Sequence, residues 1–252
     1  MKLHFVASHR PQAQHALDHF LTHYGQTDLA SATVIVALGG DGFMLRTLQR
    51  HLRVPLPVYG INYGSVGFLM NRPNTQDLER RVAKAQAVTL YPLKMQCTTL
   101  SGEILTAHAF NEVALLRRTH MAARLRIRLD QKVHLEELVA DGILVATPAG
   151  STAYNYSAMG PILPLSSNGL ALTPISPFRP RRWRGAVVPD HLHIEIEVND
   201  GHERRVNATA DFQEFHDVER VIITKDTEHP VTLLFDPGHS LDERILREQF
   251  LA

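Results

Sequence analysis

Apolar positions along the chain follow two periods, and the change from one to the other divides it into two parts. In the first part, short continuous apolar runs alternate with stretches of helical spacing. The clearest run, Thr33-Val34-Ile35-Val36-Ala37-Leu38, predicts a buried strand over Val34 to Leu38, being β-branched and bounded by glycine. From Gly42 the spacing turns helical, with Phe43, Leu45, Leu48 and Leu52 set for one buried face up to about His51. Leu3 to Val6 predicts an earlier strand, and Gln12 to Tyr24 a helix with Ala13, Ala16, Leu17, Phe20 and Leu21 on one side. Pro57 to Ile61 predicts a third strand, and Asn74 to Ala87 a charged helix with Leu78 and Val82 inward. This β-α-β-α-β-α alternation calls for a parallel sheet with helices on its faces. Ligands then sit beyond the carboxyl ends of the strands, where both glycine loops fall, Gly39 to Gly42 and Gly64 to Gly67.

Near Thr89 the period becomes two. Arg124 to Leu129 and His191 to Val198 alternate strictly, as half-buried antiparallel strands do. Val218 to Thr224 and Val231 to Phe235 predict further strands, and Pro174 to Pro180 the most loop-like stretch. Residues 89–235 are therefore expected to form a β-rich second domain, and residues 1–88 with 236–252 an α/β domain. Ser240 to Phe250 predicts a helix capped by Ser240, with acids early and Arg244 and Arg247 late, packing back on the first domain.

Composition narrows the classes. The 252 residues carry 26 Lys plus Arg against 26 Asp plus Glu, so no bulk charge draws the chain to nucleic acid or an anionic membrane. Cys97 is the single cysteine, which rules out an intrachain disulfide. The 15 histidines are scattered, without HExxH spacing, and a metal centre held by side chains is not expected. No window approaches the roughly 18 apolar residues of a membrane span, and the N-terminus lacks a signal-peptide core, so the cytoplasm is the expected compartment.

Four stretches carry candidate chemistry. Gly39-Gly40-Asp41-Gly42 joins a strand end to a helix start, where free backbone N–H groups suit phosphate and glycine permits unusual backbone angles. Asp41 there either orients a hydroxyl that attacks phosphorus or merely caps the helix. From Asp141 to Tyr154 a buried strand runs into Thr147-Pro148-Ala149-Gly150 and then a helix start. Ser151, Thr152, Tyr154 and Ser157 supply hydroxyls there, for a polar heterocycle or ribose, or only for an ordinary capped helix. Asn111-Glu112 pairs an amide able to read a purine edge with a carboxylate able to accept from a ribose, or is simply a solvated strand end. Arg179, Arg181, Arg182 and Arg184 surround Trp183, as a phosphate-steering group, an interface or a braced loop.

Taken in order, Gly39-Gly40-Asp41-Gly42, Gly60-Ile61-Asn62, Gly67-Phe68-Leu69, Asn111-Glu112 and the run from Asp141 to Tyr154 resemble the NAD kinase family. The resemblance spans about residues 34 to 213, and its specific part is Thr147 to Tyr154, because GGDG is shared with lipid kinases and phosphofructokinases. It implies transfer of the γ-phosphoryl of ATP, or of polyphosphate in some members, to the adenosine ribose 2′-hydroxyl of NAD. Asp41 would orient or deprotonate that hydroxyl, and Gly39, Gly40 and Gly42 would hold donor phosphates, with Gly42 also touching NAD. Asn111 and Thr152 would address the adenine, Glu112 its ribose, and Phe68 would pack on the base. Asp141, Ala153 and Ser157 would address the nicotinamide half, and Tyr154 would lie alongside the dinucleotide. Magnesium or another divalent cation would ride on ATP without a carboxylate cage. The fold implied is an α/β N-terminal domain with a parallel Rossmann-like sheet, a β-rich second domain and a returning C-terminal helix.

The family's dimers or tetramers, with sites completed by a neighbouring subunit, imply a homodimer or homotetramer in which Asp141 acts across an interface. Three positions depart from the pattern: Phe43 for Thr after GGDG, Ala149 for Thr, and Asp211-Phe212-Gln213 for DGQ. Asp211 and Gln213 are carried over as NAD contacts, while Phe212 questions any backbone role of the missing glycine. A lipid or sugar kinase on the same scaffold, and a non-catalytic dinucleotide sensor, are the alternatives. The polar Ser151-Thr152 stretch argues against a lipid groove, and a sensor would not require Asp41.

Overall fold

The computed structural model describes residues 1–65 and 67–250. It resolves into two compact units, Met1–Tyr91 with the chain from Glu228 onward, and Pro92–Thr227. The first unit begins with β1 (Leu3–Ala7), α1 (Pro11–Tyr24), β2 (Val34–Gly39), α2 (Asp41–Arg50), β3 (Val58–Asn62), α3 (Leu78–Lys84) and β4 (Gln86–Leu90). The second contains β5 (Leu93–Thr99), β6 (Ile104–Ala109), β7 (Glu112–Arg117), β8 (Ala123–Leu129), β9 (Lys132–Ala140) and β10 (Gly142–Ala146). It continues with α4 (Tyr154–Ser157), β11 (Gly169–Ile175), β12 (Ala186–Pro189), β13 (Ile194–Asn199), β14 (Val206–Ala210), β15 (Gln213–Phe215) and β16 (Val218–Lys225). The chain then returns to the first unit with β17 (Val231–Phe235) and α5 (Leu241–Glu248).

In the first unit the strand order is β1-β2-β3-β17-β4, with β4 alone antiparallel. All six residues of β2 are buried, because the central strand of a helix-covered parallel sheet is hidden on both faces. Ala13, Ala16 and Phe20 of α1 pack with Leu3, Phe5, Val34 and Val36 in one core. Strand Val231–Phe235, expected in the second domain, instead pairs with β3 and β4 of this sheet. Its alternation reports a half-buried face but says nothing of which sheet supplies the neighbour. The helix expected over Asn74 to Ala87 is shorter, because Asp77 takes the left-handed conformation (φ 49°) and Ala85 is extended. Gln86 and Ala87 pair with Phe235 and Leu234 as strand. On α2 the buried face is Met44, Leu45, Thr47 and Leu48, and Phe43 leaves it to lie over Gly39.

The second unit is a sandwich of two six-stranded sheets, β12-β11-β10-β7-β14-β15 and β6-β5-β16-β13-β8-β9. Val113, Ile143 and Val145 of one sheet share a core with Met95, Ile127, Ile196 and Val221 of the other. The opposite face of β10, Leu144 and Ala146, packs on Leu163 and Ala171, so β10 is buried on both sides and reads as a continuous apolar run. On β8 and β13 the polar positions face outward, where Arg126 and Arg128 pair with Glu197 at 3.3 and 3.0 Å. β13 starts at Ile194, later than the alternation from His191 predicts, and Pro174, expected in a loop, remains in β11 opposite Ile143. No described helix is long and apolar enough to cross a membrane.

Candidate active site

In the first unit, β2 ends at Gly39 and α2 begins at Asp41, with Gly40 as its N-cap. Phe43 and Met44 donate to the Gly40 carbonyl, while the amides of Asp41 and Gly42 carry no backbone hydrogen bond among the described residues. The glycines are not required by backbone angle, contrary to expectation: Gly40 is extended (φ −117°), and no glycine of the turn has positive φ. Space instead calls for glycine at Gly39 and Gly64. A Cβ on Gly39 would lie 2.8 Å from Phe43, and one on Gly64 3.0 Å from Gly40, whereas Gly42 faces open space.

Asp41 is not a helix cap. Its Oδ2 accepts from the Phe68 N–H at 2.8 Å and its Oδ1 from the Leu69 N–H at 2.9 Å, so the carboxylate is locked onto the loop after β3. Burial pushes its pKa up, and the two backbone N–H groups and the Arg244 cation oppose that rise. Asp41 and Gly42 also line a cavity of about 650 Å³ walled by Arg10, Arg46 and Arg50. Asp41 is the one carboxylate among the described residues lining it. Sequence reasoning missed these arginines. The available signal was the four-residue spacing of Arg46 and Arg50, which places them on one face of the helix that Asp41 begins.

In the second unit, the end of β6, the start of β7 and the loop after β10 meet. A Cβ on Gly150 would lie 2.1 Å from the Asn111 carbonyl oxygen, so only glycine lets the two backbones approach this closely. Thr147 ties the loop down, its hydroxyl donating to Phe110 O at 2.6 Å and accepting from Gly150 N at 3.0 Å. The expected helix over residues 151–157 is a 3₁₀ turn, Ala149–Thr152, followed by the single turn of α4. Ser151 is fully buried and spends its hydroxyl on Pro148 O and Leu163 N. Asn155, which the sequence reading passed over, is equally buried and bridges Ser151 O, Pro161 O and the Thr173 hydroxyl. The side chains of Asn111 and Thr152, by contrast, hold no hydrogen bond among the described residues.

Glu112 stands closest to a demand for ligand. Its Oε2 is shut off from solvent and has no hydrogen-bond partner among the described residues. Burial, with the nearby Asp211 charge, pushes its pKa up to about 8, against a hydrogen bond from the Tyr154 backbone N–H. Asp211 differs: its carboxylate accepts from the N–H groups of Phe110, Asn111 and Glu112, bracing the strand end. It also takes the left-handed conformation of the β14–β15 turn (φ 51°). Phe212 does not, so the lost glycine costs no backbone strain. Ala149 is buried in the loop.

The remaining expected contacts are more open. Ser157 and Gln213 are exposed, Ala153 partly buried, and Tyr154 37% exposed. Asp141 accepts from Arg117 Nε at 2.5 Å, at the edge of β10. Arg179 and Arg181 stack on Phe178, with guanidinium carbons 5.5 and 5.1 Å from its ring centre, while Trp183 packs against the sandwich core. The bracing aromatic of that loop is therefore Phe178, not Trp183.

A family model described as the ATP-NAD kinase N-terminal domain matches residues 6–86, and one described as the ATP-NAD kinase C-terminal domain matches residues 110–231. The chain is 52% identical over 249 residues to the NAD kinase of Xylella fastidiosa, covering 99% of this chain and 96% of that one. It is 53% identical over 251 residues to the NAD kinase of Zymomonas mobilis, covering 99% and 97%. This chain belongs to the NAD kinase family. As a member it is an enzyme, a phosphotransferase, and the lipid-kinase, sugar-kinase and sensor alternatives are not favoured. Solved structures share the fold. Yeast NADH kinase complexed with NADH gives a TM-score of 0.85 at 20% identity, covering 98% of this chain and 86% of that one. An NAD kinase from Archaeoglobus fulgidus in complex with ATP gives 0.80 at 23%, covering all of both chains.

Proposed function

We propose that the chain transfers the γ-phosphoryl of ATP to the adenosine ribose 2′-hydroxyl of NAD, giving NADP, with Asp41 as the group that accepts the hydroxyl proton. The observation that carries this is the Asp41 carboxylate, fixed through both oxygens by backbone N–H groups, on a residue that lines a cavity walled by arginine. A ribose hydroxyl is too weak an acid to ionise at neutral pH, but a loose phosphoryl-transfer transition state needs little charge on the nucleophile. Holding the hydroxyl in line and accepting its proton suffices. Arg10, Arg46 and Arg50 suit the triphosphate, since guanidinium offers charge-assisted hydrogen bonds to phosphate oxygens. The free amides of Asp41 and Gly42 add the helix N-terminus.

In the second unit, Asn111 and Thr152 keep unspent polar groups for the adenine, and the unpartnered Glu112 oxygen suits a ribose hydroxyl. Phe68 packs on the base, Tyr154 runs along the dinucleotide, and Asp141, Ala153 and Ser157 serve the nicotinamide half. Asp211 works through the backbone it braces, and Gln213 is the outermost contact. A divalent cation fits this donor set only as a passenger on the ATP phosphates, because arginines, not carboxylates, wall the cavity. Bound there, it would neutralise phosphate charge.

The same reading makes the working form a homodimer or homotetramer in the cytoplasm. Exposed Tyr156, Met159, Phe178 and Val187 in the second unit supply apolar surface for such an assembly. The experiment is NADP formation by the purified protein with Mg²⁺ and NAD, given ATP or polyphosphate, together with its mass in solution. NADP with ATP supports the reading; phosphorylation of neither NAD nor NADH overturns it.

A further inference from the structure

We propose that Arg244, on the C-terminal helix α5, is a positioning residue for the reaction: it holds the far ends of the two peptide groups that fix the Asp41 carboxylate. This rests on the reading of Asp41 as the proton acceptor. Helix α5 is anchored by Ser240, whose hydroxyl accepts from Glu243 N at 3.3 Å, and by buried Leu241 and Ile245. That registration carries Arg244 over the Phe235 ring, 5.7 Å from its centre. Its Nη1 donates to the carbonyls of Gly67, Phe68 and Met70 at 2.6, 2.9 and 2.7 Å.

The Gly67 carbonyl and the Phe68 N–H belong to one peptide group, and the Phe68 carbonyl and the Leu69 N–H to the next. In a planar trans peptide the C=O and N–H point in opposite directions. Arg244 therefore grips each group by its oxygen while Asp41 grips the same group by its nitrogen. A cation on the carbonyl side also polarises each N–H toward the carboxylate, as in any chain of hydrogen bonds. Two peptide planes pinned at both ends leave the carboxylate little freedom to turn. Other titratable or charged groups face the pair as well: Arg10, Arg46, Arg50, His9 and His51 line the cavity beside Asp41, while Arg72, Arg247, Asp236 and His239 interact with Arg244. All of these remain in the variants below.

The test compares kcat against pH for the wild type, Arg244→Gln, Arg244→Lys and Asp41→Asn, with amide hydrogen exchange at residues 67–70. Arg244→Gln keeps a donor but removes the charge. Its kcat should fall about ten- to hundredfold, the cost of a misplaced group. The acid limb should move to higher pH, because Asp41 loses a stabilising cation. The ATP KM should hold, and the Phe68 and Leu69 amides should exchange faster. Arg244→Lys keeps the charge without the planar fork, so its acid limb should stay near wild type and part of kcat should return. A lowered Tm with unchanged kcat and acid limb in Arg244→Gln would reduce Arg244 to a structural brace and overturn the proposal. Should that variant not fold, weakened protection of Phe68 and Leu69 in Arg244→Lys with kcat and acid limb unchanged would overturn it equally. Near-normal turnover of Asp41→Asn would instead sink the reading of Asp41, whatever Arg244 does.

Discussion

Two carboxylates, one in each unit, carry opposite accounts of their surroundings. Asp41 is satisfied before any ligand arrives, with a backbone N–H on each oxygen and a guanidinium behind the same loop. Glu112 is left short, with one oxygen buried and unpartnered and its pKa pushed up to about 8. The difference separates two kinds of work. A group that must accept a proton at one point in space gains from being fixed by the fold. A group that recognises a hydroxyl can be left for the substrate to complete, so that binding relieves a buried polar atom.

The largest effect is expected at Asp41. Asp41→Ala should lower turnover about 10²–10⁴-fold, the usual worth of a general base. It should also lower Tm, because the Phe68 and Leu69 amides lose their acceptors. NADP formation and a thermal melt on one preparation check both.

Glu112→Gln sharpens the other side. The folded state holds the Glu112 proton up to about pH 8, whereas an unfolded carboxyl releases it near 4.5. Between those values the native form binds more protons, so stability falls as pH rises through that window. The variant should remove this slope, melting higher than wild type at pH 8 and about equally at pH 4. Saturating NAD should shrink the wild-type slope, since a donated hydroxyl favours the ionised form. A wild-type slope matching that of Glu112→Gln, with and without NAD, would contradict the account.

The smallest effects belong to Asn111→Ala and Thr152→Ala. Each removes one hydrogen bond to a neutral base, about 0.5–1.5 kcal/mol, and should raise the NAD KM about two- to tenfold with kcat held. Neither side chain braces the fold, so Tm should stay put. A collapse of kcat at constant KM would make them something other than adenine readers.

How much of this was legible in the chain follows from where each signal is local. The β2 run, the α2 start, the Ser240 cap and the alternation of β8 and β13 depend on near neighbours, and the structure carries each of them, with β13 beginning at Ile194 rather than His191. The sheet membership of β17 was not legible, because its partners β3 and β4 lie more than 140 residues earlier. The hydroxyl-rich stretch after Gly150 showed which residues could serve a ligand but not which were already spent. Ser151 faces Leu163 twelve residues on, while the side chain of its neighbour Thr152 holds no hydrogen bond among the described residues, and only the fold distinguishes them. The arginines beside Asp41 were missed because they are drawn from the residue before α1 and from α2 together, and Arg244 because its targets are carbonyls about 175 residues away in sequence.

The most direct test of the central claim is Asp41→Asn, assayed for NADP formation and for NAD affinity by titration on the same protein. The amide keeps the size and one acceptor oxygen but turns an NH₂ toward one of the two backbone N–H groups, so some stability should be lost, about 1–3 kcal/mol. It cannot take the hydroxyl proton. Turnover should fall about 10²–10⁴-fold, with the NAD dissociation constant within about threefold of wild type. Near-normal turnover in that folded protein, or a loss confined to NAD affinity, would contradict it.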